Sequence, residues 1–378
     1  MNLSELQTPA LILDLGKVRK NITSLHNRMK DLGVNLRPHG KTAKNIDVIR
    51  MALEGQAGGI TVSTLKEAEY YFSRGITDIV YAVGIAPGKL DRIAGLIKKG
   101  AEISVLLDSI EQAQFTAAKG RQYGLEIPAL IEIDCDGHRS GVSPDDPLLL
   151  DIARRLDRDK GAVLRGVLTH AGESYNCRSV PDIRALAERE REAAVKCSGL
   201  LSKAGYPCPV VSVGSTPTAV FAQNLSGVTE VRAGVFMFYD LVMAGLGVCG
   251  INDIALSVLA SVIGHQKKKG WVITDSGWMA LSRDRGTAAQ KTDQGYGLVC
   301  GIDGAPLSDI TVAGTNQEHG IVSARPGTGI DLSAFEIGRM VRILPNHACA
   351  TGAMFDRYYV TDGTTDVIAV WHRVNGWE

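Results

Sequence analysis

The sequence lacks an excess of either charge, because its 378 residues include 41 Lys and Arg and 41 Asp and Glu. A neutral chain has no global field to draw it onto nucleic acid or an anionic membrane. No apolar run approaches the roughly 20 residues of a membrane-spanning helix, and residues 1–5 lack the basic start and apolar core of a signal peptide. We therefore expect a cytoplasmic protein that binds a small molecule, with no nucleic acid or membrane partner.

Paired cysteines are also missing. The seven cysteines are scattered along the chain, and none of them forms a Cys-x-x-Cys pair. Their odd number argues against a disulfide framework. We expect most of them to be buried thiols that behave as small hydrophobic residues.

The first two thirds of the chain alternate short β-branched runs with amphipathic helical segments, which is typical of parallel βα units. The predicted strands span residues 34–38, 59–63, 78–82, 102–107, 129–133, 164–169, 210–213 and 229–235. Eight such strands predict a (β/α)8 barrel, whose active site lies at the carboxyl ends of the strands.

After Val248 the pattern changes to β-rich segments without long helices. The predicted strands here include residues 256–263, 271–274, 340–344 and 358–360, joined by an N-terminal strand at 10–15. A single core stops growing at about 250–300 residues, so a second domain is expected. We predict a barrel over residues 16–248 and a mainly antiparallel β domain formed by residues 1–15 and 249–378.

Lys41 follows the first predicted barrel strand and is the first candidate catalytic residue. A lysine acts as a Schiff-base nucleophile when neighbouring cations and partial burial depress its pKa. Arg37, His39 and Lys44 lie beside it in the sequence and are expected to supply this positive charge. A lysine after a strand is also common in proteins with no such chemistry, so further groups must accompany it.

Polar residues follow several of the other predicted barrel strands. They are Tyr81, residues 134–139, His170, residues 214–216 and Arg232. The turn Gly214-Ser215-Thr216 offers backbone N–H groups and hydroxyls after the seventh strand, where barrels usually bind phosphate, and Gly234 ends the eighth strand. The alternative is that this turn is only a connector.

Three of these residues could bind a phosphorylated aromatic aldehyde. Such a cofactor needs a planar group against its ring, a donor to its phenolate oxygen and a partner for its ring nitrogen. His170, Arg139 and Arg232 are expected to fill these roles in that order. Alternatively, Arg139 pairs with Asp134 or Asp136, and His170 is a histidine of the barrel rim.

The segment Pro345-Asn346-His347-Ala348-Cys349 contains a possible metal-binding pair. In an extended segment residues i and i+2 face the same side, so the His347 imidazole and the Cys349 thiolate could bind one ion. This donor pair prefers zinc. Two protein ligands would leave positions open for water or substrate, as a catalytic Lewis acid requires, although His-x-Cys also occurs often by chance.

Taken together, these segments resemble the fold-type III pyridoxal-phosphate enzymes of the alanine racemase superfamily, and within them the D-serine dehydratase and D-threonine aldolase group. The resemblance runs almost from end to end of the chain. The shared stretches are residues 37–42, 59–69, 132–142, 166–175, 211–219, 229–234, 277–286, 316–320 and 343–352.

The resemblance implies a role for each site residue. Lys41 would form the Schiff base with the aldehyde of pyridoxal 5′-phosphate, and His347 and Cys349 would hold a divalent metal. The turn at residues 214–216 would cradle the cofactor phosphate together with Tyr175. The aldolase branch carries an aspartate at the position of Cys349, and a valine or alanine is expected at Gly40.

The implied reaction is the dehydration of a D-3-hydroxy amino acid, such as D-threo-3-hydroxyaspartate or D-serine, to a keto acid and ammonia. Lys41 would remove the Cα proton and the metal would stabilise the departing hydroxide. Zinc is favoured, with Mn²⁺ and Mg²⁺ as alternatives. Arg232 would keep the ring nitrogen unprotonated, and the resemblance further implies a homodimer with barrel mouths capped by the partner.

Other activities stay open on sequence alone. An aldolase shares every binding group and differs in the Cα bond that breaks. A non-catalytic cofactor carrier would resemble a lone barrel. A racemase would need a second base on the opposite face of the substrate. The substrate is not fixed either. Arg283 and Arg285 are tentative receptors for a second carboxylate, because guanidinium binds carboxylate bidentately, or they belong to a solvated charged turn.

Overall fold

The computed structural model describes the backbone of residues 1–378 and every side chain except that of Ser308. The chain divides into two compact units. The barrel unit comprises Ser24–Gly234 with Gly376–Glu378, and the β unit comprises Met1–Thr23 with Val235–Asn375. The sequence had suggested changes of domain after residues 15 and 248.

The strands are numbered in chain order. They are β1 Ala10–Asp14, β2 Asn35–Pro38, β3 Ile60–Val62, β4 Asp78–Gly84, β5 Glu102–Leu107, β6 Ile127–Ile133, β7 Ala162–Thr169, β8 Val210–Val213, β9 Glu230–Ala233, β10 Leu256–Gln266, β11 Trp271–Thr274, β12 Leu298–Cys300, β13 Pro306–Thr315, β14 Gly320–Ala324, β15 Met340–Leu344, β16 Arg357–Thr361 and β17 Ala369–His372.

The helices are numbered in the same way. They are α1 Leu15–Asp31, α2 Ile46–Leu53, α3 Leu65–Phe72, α4 Leu90–Lys98, α5 Ile110–Tyr123, α6 Leu148–Asp159, α7 Val180–Lys203, α8 Thr216–Phe221, α9 Leu241–Gly245, α10 Trp278–Leu281 and α11 Ala348–Gly352. Within the described part of the chain, no helix combines the length and the apolarity needed to cross a bilayer.

The barrel unit contains the predicted parallel barrel. Its eight strands follow the order β2-β9-β8-β7-β6-β5-β4-β3, and every pairing in that order is parallel. A parallel bridge between His39 and Thr61 joins the two ends of the order. The barrel is therefore nearly closed, and the prediction of a (β/α)8 barrel is confirmed.

Several helices of the barrel unit begin at a residue that caps them. Each of these side chains accepts a hydrogen bond from a backbone N–H three residues later, which satisfies one donor of the first turn. The capping residues are Asn45, Thr64, Ser109, Ser179 and Ser215. These caps fix where each of the five helices begins.

The alternation of side chains along β4 decides which residues face the barrel interior. Val80 packs in one cluster with Leu106, Leu130 and Leu168. These residues come from four consecutive strands, β4 to β7, and Leu168 pairs in register with Ser212, so the cluster shares the face of the sheet that carries Ser212 and Arg232. Tyr81 points the opposite way and its hydroxyl receives a hydrogen bond from Lys89 Nζ at 2.5 Å. Tyr81 was predicted among the polar residues of the mouth, and that prediction is wrong because of this alternation.

The β unit is built on a nine-stranded sheet with the order β11-β14-β13-β12-β15-β10-β1-β16-β17. An additional pairing of β10 with β11 closes its first six strands into a ring. All pairings are antiparallel except that of β1 with β16. The prediction of a mainly antiparallel domain joined by the N-terminal strand is confirmed.

Candidate active site

The loop after β2 carries Lys41 and is held by backbone hydrogen bonds on both sides. His39 N donates to Ala233 O at 2.7 Å, and Gly40 N donates to Thr61 O at 2.7 Å. The Lys41 side chain is exposed. A fixed backbone thus presents an accessible amine at the carboxyl end of the first barrel strand.

Gly40, the residue before this lysine, is explained by Tyr71. A Cβ atom on residue 40 would lie 2.7 Å from Tyr71 Cε2. The Tyr71 ring is fully buried, and its hydroxyl donates to Gly40 O at 3.3 Å. The valine or alanine expected from the family resemblance would collide with this ring. The position of the Tyr71 ring therefore explains the glycine at residue 40.

The predicted crowding of Lys41 by cations is wrong. The structure pairs two of the three neighbouring cations with carboxylates and keeps the third neutral. The ion pairs are Arg37 Nε to Glu230 Oε2 at 2.7 Å, Arg37 Nη2 to Asp78 Oδ2 at 2.9 Å and Lys44 Nζ to Glu67 Oε1 at 3.3 Å. Burial, reinforced by the charge of Lys41, lowers the pKa of His39 well below its ordinary value.

Arg232 is a fixed, buried cation on the inner face of the barrel. Its Nη1 donates to Ser212 Oγ at 2.7 Å and its Nη2 to Thr169 O at 2.5 Å. Ser212 Oγ in turn donates to Glu230 Oε1 at 2.6 Å. Burial lowers the pKa of Arg232 to about 10, so the guanidinium stays charged at neutral pH.

His170 follows β7 as a neutral imidazole. Burial lowers its pKa to about 3, and its Nδ1 lies 2.9 Å from Gly214 O. A carbonyl only accepts hydrogen bonds, so Nδ1 carries the hydrogen. The charges of Lys41, Arg139 and Arg232 also act on this ring, which places the four predicted groups around one barrel mouth.

Arg139 and Tyr175 flank this mouth. Arg139 Nη2 lies 3.6 Å from Glu132 Oε1, and its side chain is 55% exposed. The alternative partners Asp134 and Asp136 are not its ion-pair partners in the described structure. The Tyr175 ring, which is 37% exposed, has its centroid 6.3 Å from that of His170.

The turn Gly214-Ser215-Thr216 is built to approach the barrel closely. Gly214 has φ +134°, and a Cβ there would lie 2.2 Å from Arg232 O. The Ser215 hydroxyl contacts Ser174 Oγ at 2.8 Å. Thr216 Oγ1 is buried and has no hydrogen-bond partner in the described structure. A buried hydroxyl without a partner is costly unless a ligand satisfies it, so this turn fits an anionic group.

Glu190 was missed by the sequence reasoning, although it holds this turn in place. Its Oε1 accepts from Ala171 N at 2.8 Å and from Gly214 N at 3.0 Å. The carboxylate is almost fully buried, and burial raises its pKa. Its position in the apolar stripe of α7, among Ala187, Ala194 and other buried residues, was the available signal.

The His347 and Cys349 pair does not lie in an extended segment as predicted. His347 is the N-cap of α11, and Cys349 is the second residue of that helix. The helix forms because Thr351 N donates to His347 O at 3.1 Å and Ala348 N donates to Asp240 Oδ2 at 3.0 Å. The two side chains still meet: burial lowers the pKa of His347, but hydrogen bonds with Asp284 and Cys349 raise it above its ordinary value.

Asp284 is the second residue that sequence reasoning missed. Its Oδ2 lies 2.7 Å from His347 Nδ1. Among the described residues, no group of three or more His, Cys, Asp or Glu side chains could hold a metal ion. An imidazole and a thiol in contact are suitable zinc ligands, so His347 and Cys349 could hold a divalent metal as a two-residue donor set, with its other positions left to water or substrate.

The two tentative substrate arginines flank Asp284 and differ in their surroundings. Arg285 Nη2 pairs with Asp293 Oδ2 at 2.6 Å, and its guanidinium lies 4.9 Å from the Tyr296 ring. Arg283 is exposed and lies 4.6 Å over the Trp278 ring. Arg285 is therefore already paired with a carboxylate, whereas Arg283 packs on an aromatic ring.

Comparison with known proteins assigns both units. Residues 13–241 match the family model of the alanine racemase N-terminal domain, and residues 255–361 match that of a putative serine dehydratase domain. The chain is 52% identical to D-threo-3-hydroxyaspartate dehydratase of Delftia sp. (strain HT23), over 98% of each chain. It is 30% identical to D-serine dehydratase of Dictyostelium discoideum, over 97% of this chain and 96% of the relative.

Solved structures agree with this assignment. The chain superposes on the Delftia enzyme with a TM-score of 0.96 and 51% identity, covering 100% of both chains. A variant of that dehydratase with one cysteine replaced by alanine, in its metal-free form, gives a TM-score of 0.97. The chain therefore belongs to the alanine racemase superfamily, and within it to the group that carries the serine dehydratase domain.

Proposed function

We propose that this protein is a lyase that uses pyridoxal 5′-phosphate and a divalent metal to dehydrate a D-3-hydroxy amino acid, D-threo-3-hydroxyaspartate or D-serine, to a keto acid and ammonia. The observation that carries the proposal is the mouth of the barrel. An exposed amine, a neutral imidazole, a buried guanidinium and a turn with an unpartnered hydroxyl meet there. The 52% identity to a dehydratase over 98% of each chain supports the same reaction.

The barrel residues fit the cofactor in separate roles. Lys41 offers an accessible amine to the aldehyde, and the neutral His170 ring offers a planar face to the pyridine. Arg232 is a buried cation that would keep the pyridine nitrogen unprotonated. Arg139 would donate to the phenolate oxygen, and Tyr175 with residues 214–216 and Gly234 would surround the phosphate.

Pyridoxal phosphate supplies an electron sink that acidifies the Cα proton of a bound amino acid. Lys41 is the base that would take this proton, because its side chain is exposed and its backbone is fixed by the hydrogen bonds of the loop. A single base acts on one face of the substrate. The proposal therefore includes selectivity for one enantiomer, which the names of the related dehydratases indicate is the D form.

His347 and Cys349 would hold the metal, which supplies a Lewis acid for a departing hydroxide. An imidazole and a thiolate favour zinc over harder ions, and Mn²⁺ and Mg²⁺ are the alternatives. The metal-free form solved for a cysteine variant of the related dehydratase supports a metal in that enzyme.

A dicarboxylic substrate is favoured by Arg283. In 3-hydroxyaspartate the second carboxylate is attached to the carbon that carries the hydroxyl, so its receptor must lie near the groups that bind the hydroxyl. Arg283 precedes Asp284, whose carboxylate contacts His347. The exposed Arg283 guanidinium lies over the Trp278 ring, whereas the Arg285 guanidinium forms an ion pair with Asp293.

The main alternative is a D-threonine aldolase-type lyase that cleaves the Cα–Cβ bond. It would use the same binding groups, but the aldolase branch has an aspartate where this chain has Cys349, and a thiolate is less suited to the harder ions. A non-catalytic cofactor carrier is a second alternative, and the β unit with its metal-binding pair argues against it. We further propose that the protein works in the cytoplasm and that it is a homodimer. Size-exclusion chromatography with light scattering would test the homodimer.

The test of the proposal is a keto-acid assay of the purified protein with D-threo-3-hydroxyaspartate, D-serine and D-threonine, with and without a chelator. The proposal expects a keto acid and ammonia from one of the first two substrates, and loss of this activity with the chelator. Glycine and an aldehyde as the products would favour the aldolase. Absence of any product would favour the carrier.

A further inference from the structure

The carboxylate of Asp284 is fixed between two donors in the β unit. Gly286 N donates to its Oδ1 at 2.8 Å, and His347 Nδ1 lies 2.7 Å from its Oδ2. A carboxylate only accepts hydrogen bonds, so Nδ1 of the imidazole carries the hydrogen. In the neutral imidazole that binds a metal, the lone pair of His347 is therefore on Nε2.

The backbone around Asp284 is also tied to the residue next to His347. Asn346 is buried, and its Nδ2 donates to Asp284 O at 3.0 Å and to Gly295 O at 2.7 Å. Thr287 Oγ1 donates to Asn346 Oδ1 at 3.0 Å. The carboxylate and the imidazole are thus held in place by their own neighbours before any ion binds.

We propose that Asp284 is a positioning residue for the divalent-metal site, which orients the His347 ring and keeps the lone pair on Nε2. The inference rests on the proposed function only in taking His347 and Cys349 as the metal ligands. Asp284 itself does not bind the ion. A carboxylate in this position also makes the imidazole a more basic ligand, and loss of such a partner typically weakens metal binding by about 10- to 100-fold.

The experiment measures zinc affinity rather than turnover. The full-length protein is stripped of metal and titrated with Zn²⁺ in competition with a chromophoric chelator. The variants are Asp284→Asn, Asp284→Ala and His347→Ala. The matched control is Asp293→Asn, which removes a carboxylate from the same segment that pairs with Arg285 and not with His347.

The two Asp284 variants separate orientation of the ligand from packing of the loop. In Asp284→Asn, the N–H of Gly286 still needs an acceptor, so the amide oxygen turns toward Gly286 and the amide NH₂ turns toward His347. That NH₂ donates to Nδ1 and moves the imidazole hydrogen onto Nε2. We therefore expect Asp284→Asn to weaken zinc binding at least as much as Asp284→Ala.

A role confined to loop packing gives the opposite order, because the amide keeps the hydrogen bond to Gly286 and alanine does not. The expected result is about 10- to 100-fold weaker binding in both Asp284 variants, with unchanged affinity in Asp293→Asn. If Asp284→Ala does not fold, the zinc affinity of the nearly isosteric Asp284→Asn tests the proposal by itself.

Zinc affinity of Asp284→Asn within about threefold of the parent protein, which is below the roughly 10-fold minimum expected for loss of such a partner, would overturn the inference while leaving the metal site intact. If the parent protein and His347→Ala bind zinc equally, the assignment of the ligands fails instead. The two failures are therefore distinguishable.

Discussion

Lys41 is the residue on which the proposed chemistry depends most. Its side chain is exposed, its backbone is fixed, and the neighbouring cations that were expected to activate it are paired or neutral. Arg37 and Lys44, which lie beside it in the sequence, instead form ion pairs with carboxylates of the barrel unit.

Replacing Lys41 with alanine should remove all turnover, because it removes both the proposed Schiff-base amine and the base proposed to accept the Cα proton. The absorption band of lysine-bound cofactor should be lost at the same time. The matched control is Lys20→Ala, which removes an exposed surface lysine and should change neither. Retained turnover in Lys41→Ala would contradict its assigned role.

His170 predicts a dependence of stability on pH. Its pKa is lowered to about 3 by burial in the folded protein, whereas an unfolded histidine titrates near about 6.5. Below that pH the unfolded chain binds a proton that the folded protein does not, so stability falls as the pH falls from 6.5 toward 3. Between pH 7 and 5.5 the parent protein should lose about 1 kcal/mol more than His170→Asn. Urea unfolding of both proteins at the two pH values checks this, and equal losses would contradict the neutral imidazole.

At the scale of elements, α7 and the loops after β7 and β8 act together. Glu190 on α7 accepts backbone N–H groups from both loops, and His170 Nδ1 donates to Gly214 O. The Gly214 peptide is thus held at its N–H and at its carbonyl. The turn at residues 214–216, which is proposed to bind the phosphate, is positioned by a helix that contributes no residue to the predicted site.

Glu190→Ala should therefore lower both stability and cofactor affinity. It leaves two buried N–H donors without their acceptor, at about 1–3 kcal/mol each. The control is Glu192→Ala on the same helix, whose side chain is 63% exposed. We expect denaturant unfolding and cofactor titration to show both losses in Glu190→Ala alone. A variant as stable as the control, with the same cofactor affinity, would show that the carboxylate does not hold the turn.

Elements were predictable where local patterns decide them. The barrel strands stand out as continuous apolar runs between capped helices, and the mouth residues follow from the position of the strand ends. Strands β12, β13, β14 and β17 were not predicted. β12 has three residues, and β13 contains Pro306, a positive φ at Asp309 and Gly314.

The parts of the site that sequence could not reveal depend on long-range contacts. Asp284 meets His347 across 63 positions, and Arg37 meets Glu230 across 193. No pattern in the sequence around either residue indicates which residues form such a pair. The helix at residues 348–352 was also missed, because Asp240 Oδ2 accepts the first N–H of this helix from 108 positions away.

At the scale of the whole molecule, the chain combines a barrel unit with a Schiff-base lysine candidate and a β unit with a metal-binding pair. Each unit matches its own family model, and relatives match across both. In the proposed reaction Lys41 would remove the Cα proton, and a metal held by His347 and Cys349 would stabilise the departing hydroxide. These two steps should be separable.

The most direct test follows solvent deuterium into Cα of D-serine and D-threo-3-hydroxyaspartate while keto acid is assayed in the same sample, using protein verified to be metal-free and the Cys349→Ala variant. Loss of the Lewis acid should cost several kcal/mol, with each 1.4 or so lowering the rate about tenfold. The account predicts that deuterium exchange continues, because it needs Lys41 and the cofactor, while keto-acid formation falls by orders of magnitude. Keto-acid formation at the parent rate in verified metal-free protein would contradict the account.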